Sequence, residues 1–204
     1  MKKKILAFTL VFMMIASTAL AQTTYIVKSG DSMWKIAVKY QVGISEIIQA
    51  NPQIKNPSLI YPGQKLTIPT LNDIKAYENE VIRLTNVERS KNGLPALTQN
   101  WELSRVARYK SADMAAKGYF AHQSPTYGSP FTMMQNFGIR FSAAGENIAY
   151  GQRTPQEVVN AWMNSSGHRA NILSRSYSQI GVGFARNKNG TAYWTQMFIQ
   201  PTNR

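Results

Sequence analysis

The strongest constraint on this chain is a change in pattern at Pro69, which divides it into a very small unit and a larger one. Residues 24–69 carry signals for a strand, two short helices and a second strand, in that order. So short a stretch can enclose only one small core. The residues from 77 to 201 are enough for one ordinary domain. We therefore predict two folded modules, at 24–69 and 77–201, joined by a linker at 70–76.

Apolar spacing and turn residues place the elements of the first unit. We expect a helix to follow the turn at residues 29–32 and to end at Gly43. Trp34 falls near the apolar spacing of this helix, which predicts a buried core residue. The two strands and the second helix are predicted at residues 25–27, 65–68 and 45–51.

The two ends of this unit, YIVKSGDSMWKIA and NPSLIYPGQKLTIP, resemble a LysM domain, and the resemblance covers the whole unit. It implies a βααβ fold that binds peptidoglycan or another N-acetylglucosamine glycan. The binding groove of LysM domains lies between the first strand-to-helix loop and the loop before the last strand. By position, the residues that would line this groove are Gly30, Asp31, Ser32 and Met33 on one side and Leu59, Ile60, Tyr61, Pro62 and Gly63 on the other.

Helix signals dominate the first part of the second unit, and strand signals dominate its end. Amphipathic spacing predicts helices from about Ile74 to Lys91 and from about Asn100 to Lys117. A capping box at residues 154–157 begins another helix. Residues 180–185 and 191–199 indicate two strands of a hairpin. Helices followed by strands predict an α+β layer fold.

Seven motifs in this unit occur in the order seen in one known family. They are NVER, GLPAL, FAHQSP, GENIAYG, EVVNAWMNSSGHRANIL, IGVGFA and YWTQMF. The unit therefore resembles the CAP superfamily of cysteine-rich secretory, antigen 5 and pathogenesis-related 1 proteins, in its bacterial cysteine-free form. The resemblance implies an α/β/α sandwich with a central cleft, lined by the residues that match His122 and Glu146.

His122 and Glu146 lie in segments that we expect to be loops, at 120–125 and 144–147. A histidine and a glutamate within reach of one another can bind a divalent metal such as zinc, or exchange protons. The full family site has two histidines and two acids. In this chain Tyr193 and Ser165 occupy the positions of the second histidine and the second acid. This departure weakens a metal or hydrolase role, and we favour binding over catalysis.

His168 is the other of the chain's two histidines, and it lies in SSGHRANIL after the helix that carries Trp162. Two alternatives remain open for it. Its imidazole caps the helical turn that follows, or it reaches into the cleft and replaces the missing groups. The candidate cleft residues are therefore His122, Glu146 and His168, and the candidate metal ligands are His122 and Glu146.

The N-terminus predicts export. Three lysines, an apolar run from Ile5 to about Ala16 and the small-residue site Ala19-Leu20-Ala21 are typical of a signal peptide, residues 1–21. The run is too short to cross a bilayer. The chain contains no cysteine, which excludes disulfides and thiolate metal sites.

The chain is strongly basic, with a formal charge of +13, of which about +10 remains once the three lysines of the signal peptide are removed. This charge suits anionic wall polymers. We expect no nucleic-acid partner, and no membrane contact after the signal is removed.

Together these patterns predict a secreted protein of the cell wall or spore envelope of a Gram-positive-type bacterium. The LysM module would attach it to peptidoglycan, and the CAP domain would serve binding or scaffolding. Two alternatives are a metal-assisted or acid–base hydrolase in the cleft, and a carrier of a lipid or small apolar molecule.

Overall fold

A computed structural model describes residues 22–202, and the signal peptide predicted at 1–21 lies outside this range. The strands are β1 (Gln22–Ile26), β2 (Lys65–Pro69), β3 (Thr98–Gln99), β4 (Phe141–Tyr150), β5 (Gln179–Arg186) and β6 (Ala192–Pro201). The helices are α1 (Met33–Tyr40), α2 (Ile44–Gln49), α3 (Asn72–Lys91), α4 (Trp101–Lys117), α5 (Pro130–Asn136), α6 (Pro155–Met163) and α7 (Ser166–Ile172). None of the helices within residues 22–202 combines the length and the apolar character of a membrane span.

The first module has the predicted βααβ order. Its strands β1 and β2 pair antiparallel, from Gln22 opposite Pro69 to Ile26 opposite Lys65. Helix α1 begins after Ser32, whose hydroxyl accepts a hydrogen bond from the amide of Lys35 at 3.2 Å. Both helices pack on the strand pair and enclose one small apolar cluster of nine buried residues, Tyr25, Val27, Met33, Ile36, Ala37, Val42, Ile47, Leu66 and Ile68.

Two expectations for α1 are wrong. The helix ends at Tyr40, with Gln41 in the left-handed conformation (φ 51°), and Gly43 instead precedes α2. Trp34 is 61% exposed rather than buried. Met33, one position earlier, begins the buried stripe with helical spacing, which turns Trp34 about 100° away from the core.

The second module is an α/β/α sandwich, as the resemblance implied. Its sheet has the order β3-β5-β6-β4, in which β3 and β5 are parallel and the other pairs are antiparallel. Side chains alternate along β6, so that successive residues pack on opposite faces of the sheet. Trp194 and Phe198 join the cluster formed with α3, α6 and α7, whereas Met197 and Ile199 join the cluster formed with α4 and α5.

Helix α4 lies unusually close to the sheet because β5 carries glycines where the two elements meet. A Cβ atom on Gly183 would lie 2.0 Å from the amide nitrogen of Arg108, and one on Gly181 would lie 2.4 Å from the amide nitrogen of Ser104. Only residues without a side chain fit such an approach. The IGVGFA motif is therefore a packing motif for α4.

The two modules are in contact. Helix α3 begins at Asn72, inside the predicted linker, so only two residues separate β2 from α3. The ammonium of Lys75 donates a hydrogen bond to the carbonyl of Tyr40 at 2.9 Å. The hydroxyls of Ser45 and Tyr109 are 2.8 Å apart. The short connection and these cross-module hydrogen bonds hold the LysM module against α3 and α4.

Candidate functional site

The predicted cleft residues gather around β4, an edge strand of the sheet. Residues 144–147, expected to form a loop, are part of this strand because they pair with β6 in continuous register. Glu146 lies opposite Met197, and Asn147 lies opposite Gln196. Since side chains alternate along a strand, Glu146 and Asn147 point to opposite faces of the sheet. Glu146 faces the side of the sheet that α4 covers, and the loop that carries His122 comes directly after α4 in the chain.

His122 and Glu146 form a direct pair. Nδ1 of His122 is 2.7 Å from Oε1 of Glu146, in an arrangement that buries the carboxylate and leaves the imidazole 56% exposed. The hydrogen bond to Glu146 raises the pKa of His122 above its usual value. Burial raises the pKa of Glu146, while the hydrogen bond from His122 and the charge of Lys110 oppose that rise. The pair can therefore hold a proton at an accessible ring.

Two buried charged residues of α4 fix the loop that carries His122. The ammonium of Lys110 donates to the carbonyls of Ala121 and His122 at 2.7 and 2.6 Å. The hydroxyl of Ser124 donates to Asp113 Oδ2 at 2.7 Å. Neither Lys110 nor Asp113 was among the predicted site residues. A lysine on the apolar face of a helix is the signal that could have identified the first of them.

His168 lies within α7, and it does not cap that helix. The helix begins after Ser165, whose side chain makes no capping hydrogen bond within the described chain. Nδ1 of His168 is buried, with no hydrogen-bond partner among residues 22–202. Burial lowers the pKa of His168, and the charge of His122 lowers it further. His168 is thus close enough for the charge of His122 to lower its pKa, but it makes no hydrogen bond to the His122–Glu146 pair.

A buried network of amide side chains holds α7 beside the cleft. Nδ2 of Asn147 donates to the carbonyl of His168 at 3.1 Å and to Oε1 of Gln196 at 3.0 Å. Asn147 Oδ1 accepts from Asn171 Nδ2 at 2.8 Å, and Gln196 Nε2 donates to the Thr85 hydroxyl at 2.8 Å. The network therefore joins β4, α7, β6 and α3.

The outer edge of β4 is also closed by side chains. The carbonyls of residues 144, 146 and 148 point away from β6, and each accepts a hydrogen bond. The donors are Tyr177 to Ala144, Asn171 to Glu146 and Trp162 to Ile148, all at 3.3 Å. These contacts satisfy backbone carbonyls of the edge strand that could otherwise pair with a strand of another molecule.

The donor set of the cleft does not fit zinc. A zinc site takes three or four nitrogen, sulfur or oxygen ligands from the protein. No three His, Cys, Asp or Glu side chains of the described chain are grouped so that they could hold a metal ion. Tyr193, at the position of the family's second histidine, is buried at 7% exposure. Oε2 of Glu146 is buried and has no hydrogen-bond partner within residues 22–202.

Aromatic rings border the cleft. Phe120 and Tyr150 are 45% and 53% exposed, with ring centroids 4.7 Å apart. Tyr150 in turn stacks on Tyr193 at 6.0 Å. Exposed rings of this kind commonly cover the apolar part of a ligand. Neither Phe120 nor Tyr150 was among the predicted site residues.

The two predicted groove loops of the LysM module lie side by side. The amide of Gly63 donates to the carbonyl of Val27 at 2.8 Å, which ties the loop before β2 to the end of β1. Asp31 accepts hydrogen bonds from the hydroxyl of Tyr25 and the amide of Lys28, at 2.7 and 2.8 Å. Its carboxylate therefore stabilises the first loop.

The predicted groove residues differ in exposure. Met33 is only 6% exposed and packs in the core, so it presents little surface to a ligand. Leu59 and Tyr61 are 51% and 60% exposed. The remaining predicted positions, Gly30, Ser32, Pro62 and Gly63, are exposed, whereas Ile60 is partly buried against the core.

The fold and the two sites define a two-module protein, in which a small βααβ unit with an open loop face precedes an α/β/α sandwich that carries the His122–Glu146 pair at its edge strand. Residues 25–69 match the LysM domain, and residues 82–198 match the cysteine-rich secretory protein family, CAP. The chain belongs to the cysteine-rich secretory protein family and carries a LysM domain, which indicates peptidoglycan binding.

Known proteins resemble each module. The chain is 56% identical over 128 residues to the uncharacterized protein YkwD of Bacillus subtilis, covering 63% of this chain and 49% of that protein. It is 48% identical over 48 residues to a probable N-acetylmuramidase of Lactococcus lactis, covering 24% and 10%. An extracellular SCP-domain protein of Bacillus anthracis has a TM-score of 0.58 and 32% identity, covering 68% and 47%. The chain thus spans about half the length of YkwD and of the Bacillus anthracis protein.

Proposed function

We propose that this protein is exported and attaches to peptidoglycan of the cell wall or spore envelope through its LysM module. The CAP domain then acts as a binding or scaffolding unit held at the wall. The observation that carries this proposal is the pair of adjoining loops in a LysM domain, in which the side chains of Leu59 and Tyr61 are exposed to solvent. The basic charge favours retention among anionic wall polymers.

The chemistry of the LysM face suits an N-acetylated sugar. Gly30, Pro62 and Gly63 have small side chains or none, which leaves backbone groups of the two loops open to hydrogen-bond an acetamido group. Exposed apolar side chains can cover the faces of sugar rings. This combination of a few polar groups with apolar cover is typical of ligand sites.

The CAP cleft has features that support binding. Glu146 Oε2 and His168 Nδ1 are buried polar atoms without a partner in the described part of the chain. Such atoms are costly unless a ligand or water satisfies them. Together with the rings of Phe120 and Tyr150, they favour a ligand that has both hydrogen-bonding groups and an apolar face.

Sedimentation with purified peptidoglycan tests the attachment. We expect a variant with Leu59→Ser and Tyr61→Ala to bind about tenfold more weakly, because both side chains lie on the proposed contact surface. Phe131→Ala is the matched control, since Phe131 is also an exposed ring (45%) but lies on α5 of the CAP domain. Equal sedimentation of the groove variant and the control would contradict the proposal.

Acid–base hydrolysis is a second candidate, and the 2.7 Å contact between His122 and Glu146 favours it. A proton held by a buried carboxylate and an accessible imidazole is suited to general acid–base catalysis. The test is turnover of wall fragments by the intact protein. Hydrolysis that disappears in both His122→Ala and Glu146→Gln would establish this activity, whereas no turnover by the unaltered protein would exclude it for those fragments.

A further inference from the structure

A cavity of about 260 Å³ lies between the two modules, on the side of α1 that carries the exposed Trp34. The start of α2 and the first turns of α4 complete its walls. The side chains that matter for its chemistry are Trp34, Val38, Ile44, Trp101, Glu102 and Arg105. Each module therefore contributes one tryptophan to the same cavity.

The walls of this cavity are held by direct contacts between the modules. Ser45, which lines the cavity, hydrogen-bonds across the junction to Tyr109 of α4 at 2.8 Å. A Cβ on Gly43, another lining residue, would lie 3.0 Å from the Tyr109 hydroxyl. The two modules thus approach closely at one end of the cavity, which fixes its width.

The lining combines aromatic faces with hydrogen-bonding groups. Nε of Arg105 is buried and has no hydrogen-bond partner within residues 22–202. The guanidinium of Arg105 also lies 5.5 Å from the centroid of the Phe137 ring, which orients it. The carboxylate of Glu102 adds an acceptor. The indole faces can stack on the apolar faces of a pyranose ring. The neighbouring donor and acceptor can hydrogen-bond the polar groups around its rim.

The cavity lies close along the chain to the first groove loop of the LysM module. Trp34 is the second residue of α1 and lies two positions after Ser32, which belongs to the first groove loop. A glycan strand that extends from this loop past Trp34 would enter the cavity that Trp34 and Trp101 both line. We propose that the groove between the modules is a second glycan subsite, which takes N-acetylated sugar residues of the same wall strand that the LysM groove binds. This inference rests on the proposed attachment to peptidoglycan.

Tryptophan fluorescence gives a direct readout. The chain has four tryptophans, and Trp162 and Trp194 are buried at 1% and 0% exposure. A neutral quencher such as acrylamide therefore reaches chiefly Trp34 and Trp101. The probe is a soluble N-acetylglucosamine oligosaccharide, in a long and a short form. We expect the long form to protect the exposed Trp34 and the partly exposed Trp101, and a Trp34→Phe variant to retain protection of Trp101. Absence of protection at Trp101 would overturn the proposal.

Affinity measurements separate this subsite from the LysM groove. We expect Trp101→Ala to weaken binding of the long oligosaccharide about five- to tenfold, and Trp101→Phe to keep most of it. Phe131→Ala is the control, and an unchanged thermal transition shows that a variant is folded. Full affinity in a folded Trp101→Ala protein, with loss in the Leu59→Ser, Tyr61→Ala variant, would overturn the subsite and leave the attachment standing. Loss in neither variant would contradict both.

Discussion

Replacing Asn147 with alanine tests how the cleft is assembled. Asn147 is fully buried, and its amide joins β4 to His168 and Asn171 of α7 and to Gln196 of β6. The substitution removes three hydrogen bonds. It also leaves Oε1 of Gln196 buried, without another donor in the described chain.

The magnitude follows from these contacts. A buried polar atom left unpaired costs about 2 kcal/mol, and each of the other two hydrogen bonds contributes about 1 kcal/mol. We therefore expect Asn147→Ala to lower the free energy of unfolding by about 4 kcal/mol. For a chain of this length, that corresponds to a melting temperature lower by about 10 °C.

Urea denaturation followed by circular dichroism measures this loss. Asn160→Ala is the matched control, because Asn160 is exposed and its side chain only accepts from Gln156 on the same helix face. We expect the control to change stability by less than about 0.5 kcal/mol. If Asn147→Ala unfolds within that margin of Asn160→Ala, the network does not hold the cleft together as described.

Three further predictions concern single groups. In a proton NMR titration, His122 should titrate above and His168 below the usual histidine pKa, because Glu146 holds a proton on the first and burial disfavours it on the second. Gly183→Ala should lower stability by about 3 kcal/mol, because its Cβ would overlap the backbone of α4. Glu78→Gln should cost about 3 kcal/mol, since it leaves the buried guanidinium of Arg108 without its carboxylate; both losses are measured by urea denaturation.

Each of these has a control. Glu146→Gln should lower the pKa of His122, and an unchanged His122 titration would refute the pairing. Gly167→Ala, where an added Cβ meets no atom within 4 Å, should not destabilise the fold. Glu80→Gln breaks a half-exposed pair with Arg83 and should cost well under 1 kcal/mol. If Glu78→Gln costs no more than Glu80→Gln, the buried pair is not a structural requirement.

The pairing also sets the sign of a pH effect. The folded-state pKa of His122 is raised, so the stabilisation from its protonated form is fully present below the unfolded value of about 6.5. It is lost as the pH rises through the folded-state pKa. The loop with His122 should therefore exchange its amide protons more readily, after correction for intrinsic exchange, on the alkaline side of that transition.

Elements with local signals could be predicted from the sequence. The hydroxyl of Thr154 accepts from the amide of Glu157 at 3.2 Å, as the capping box indicates. The Glu157 carboxylate bonds the amide of Arg153 instead of the cap residue itself. Helix α4 ends at Lys117, as predicted, and Gly118 follows it in the left-handed conformation. In each case the residues that decide the structure lie within a few positions of one another.

Features that depend on distant partners could not be predicted. Strand β4 looks like a loop at Gly145 and Glu146, because its identity comes from pairing with β6 about fifty residues later. The exposure of Trp34 depends on which of two adjacent helical stripes meets the strands, and α1 is too short to decide it. The resemblance pointed to His122 and Glu146, whereas Lys110 acts through backbone carbonyls that only the folded loop presents.

Backbone NMR of the intact protein, titrated with a soluble N-acetylglucosamine-containing wall fragment, tests whether the LysM module is the glycan-binding site. We expect shifts at the amides of the LysM loops, including Gly30, Ser32 and Gly63, while the imidazole signals of His122 and His168 stay in place. Unmoved loop amides together with shifted imidazole signals would contradict this expectation, because the glycan would then bind in the CAP cleft and not on the LysM module.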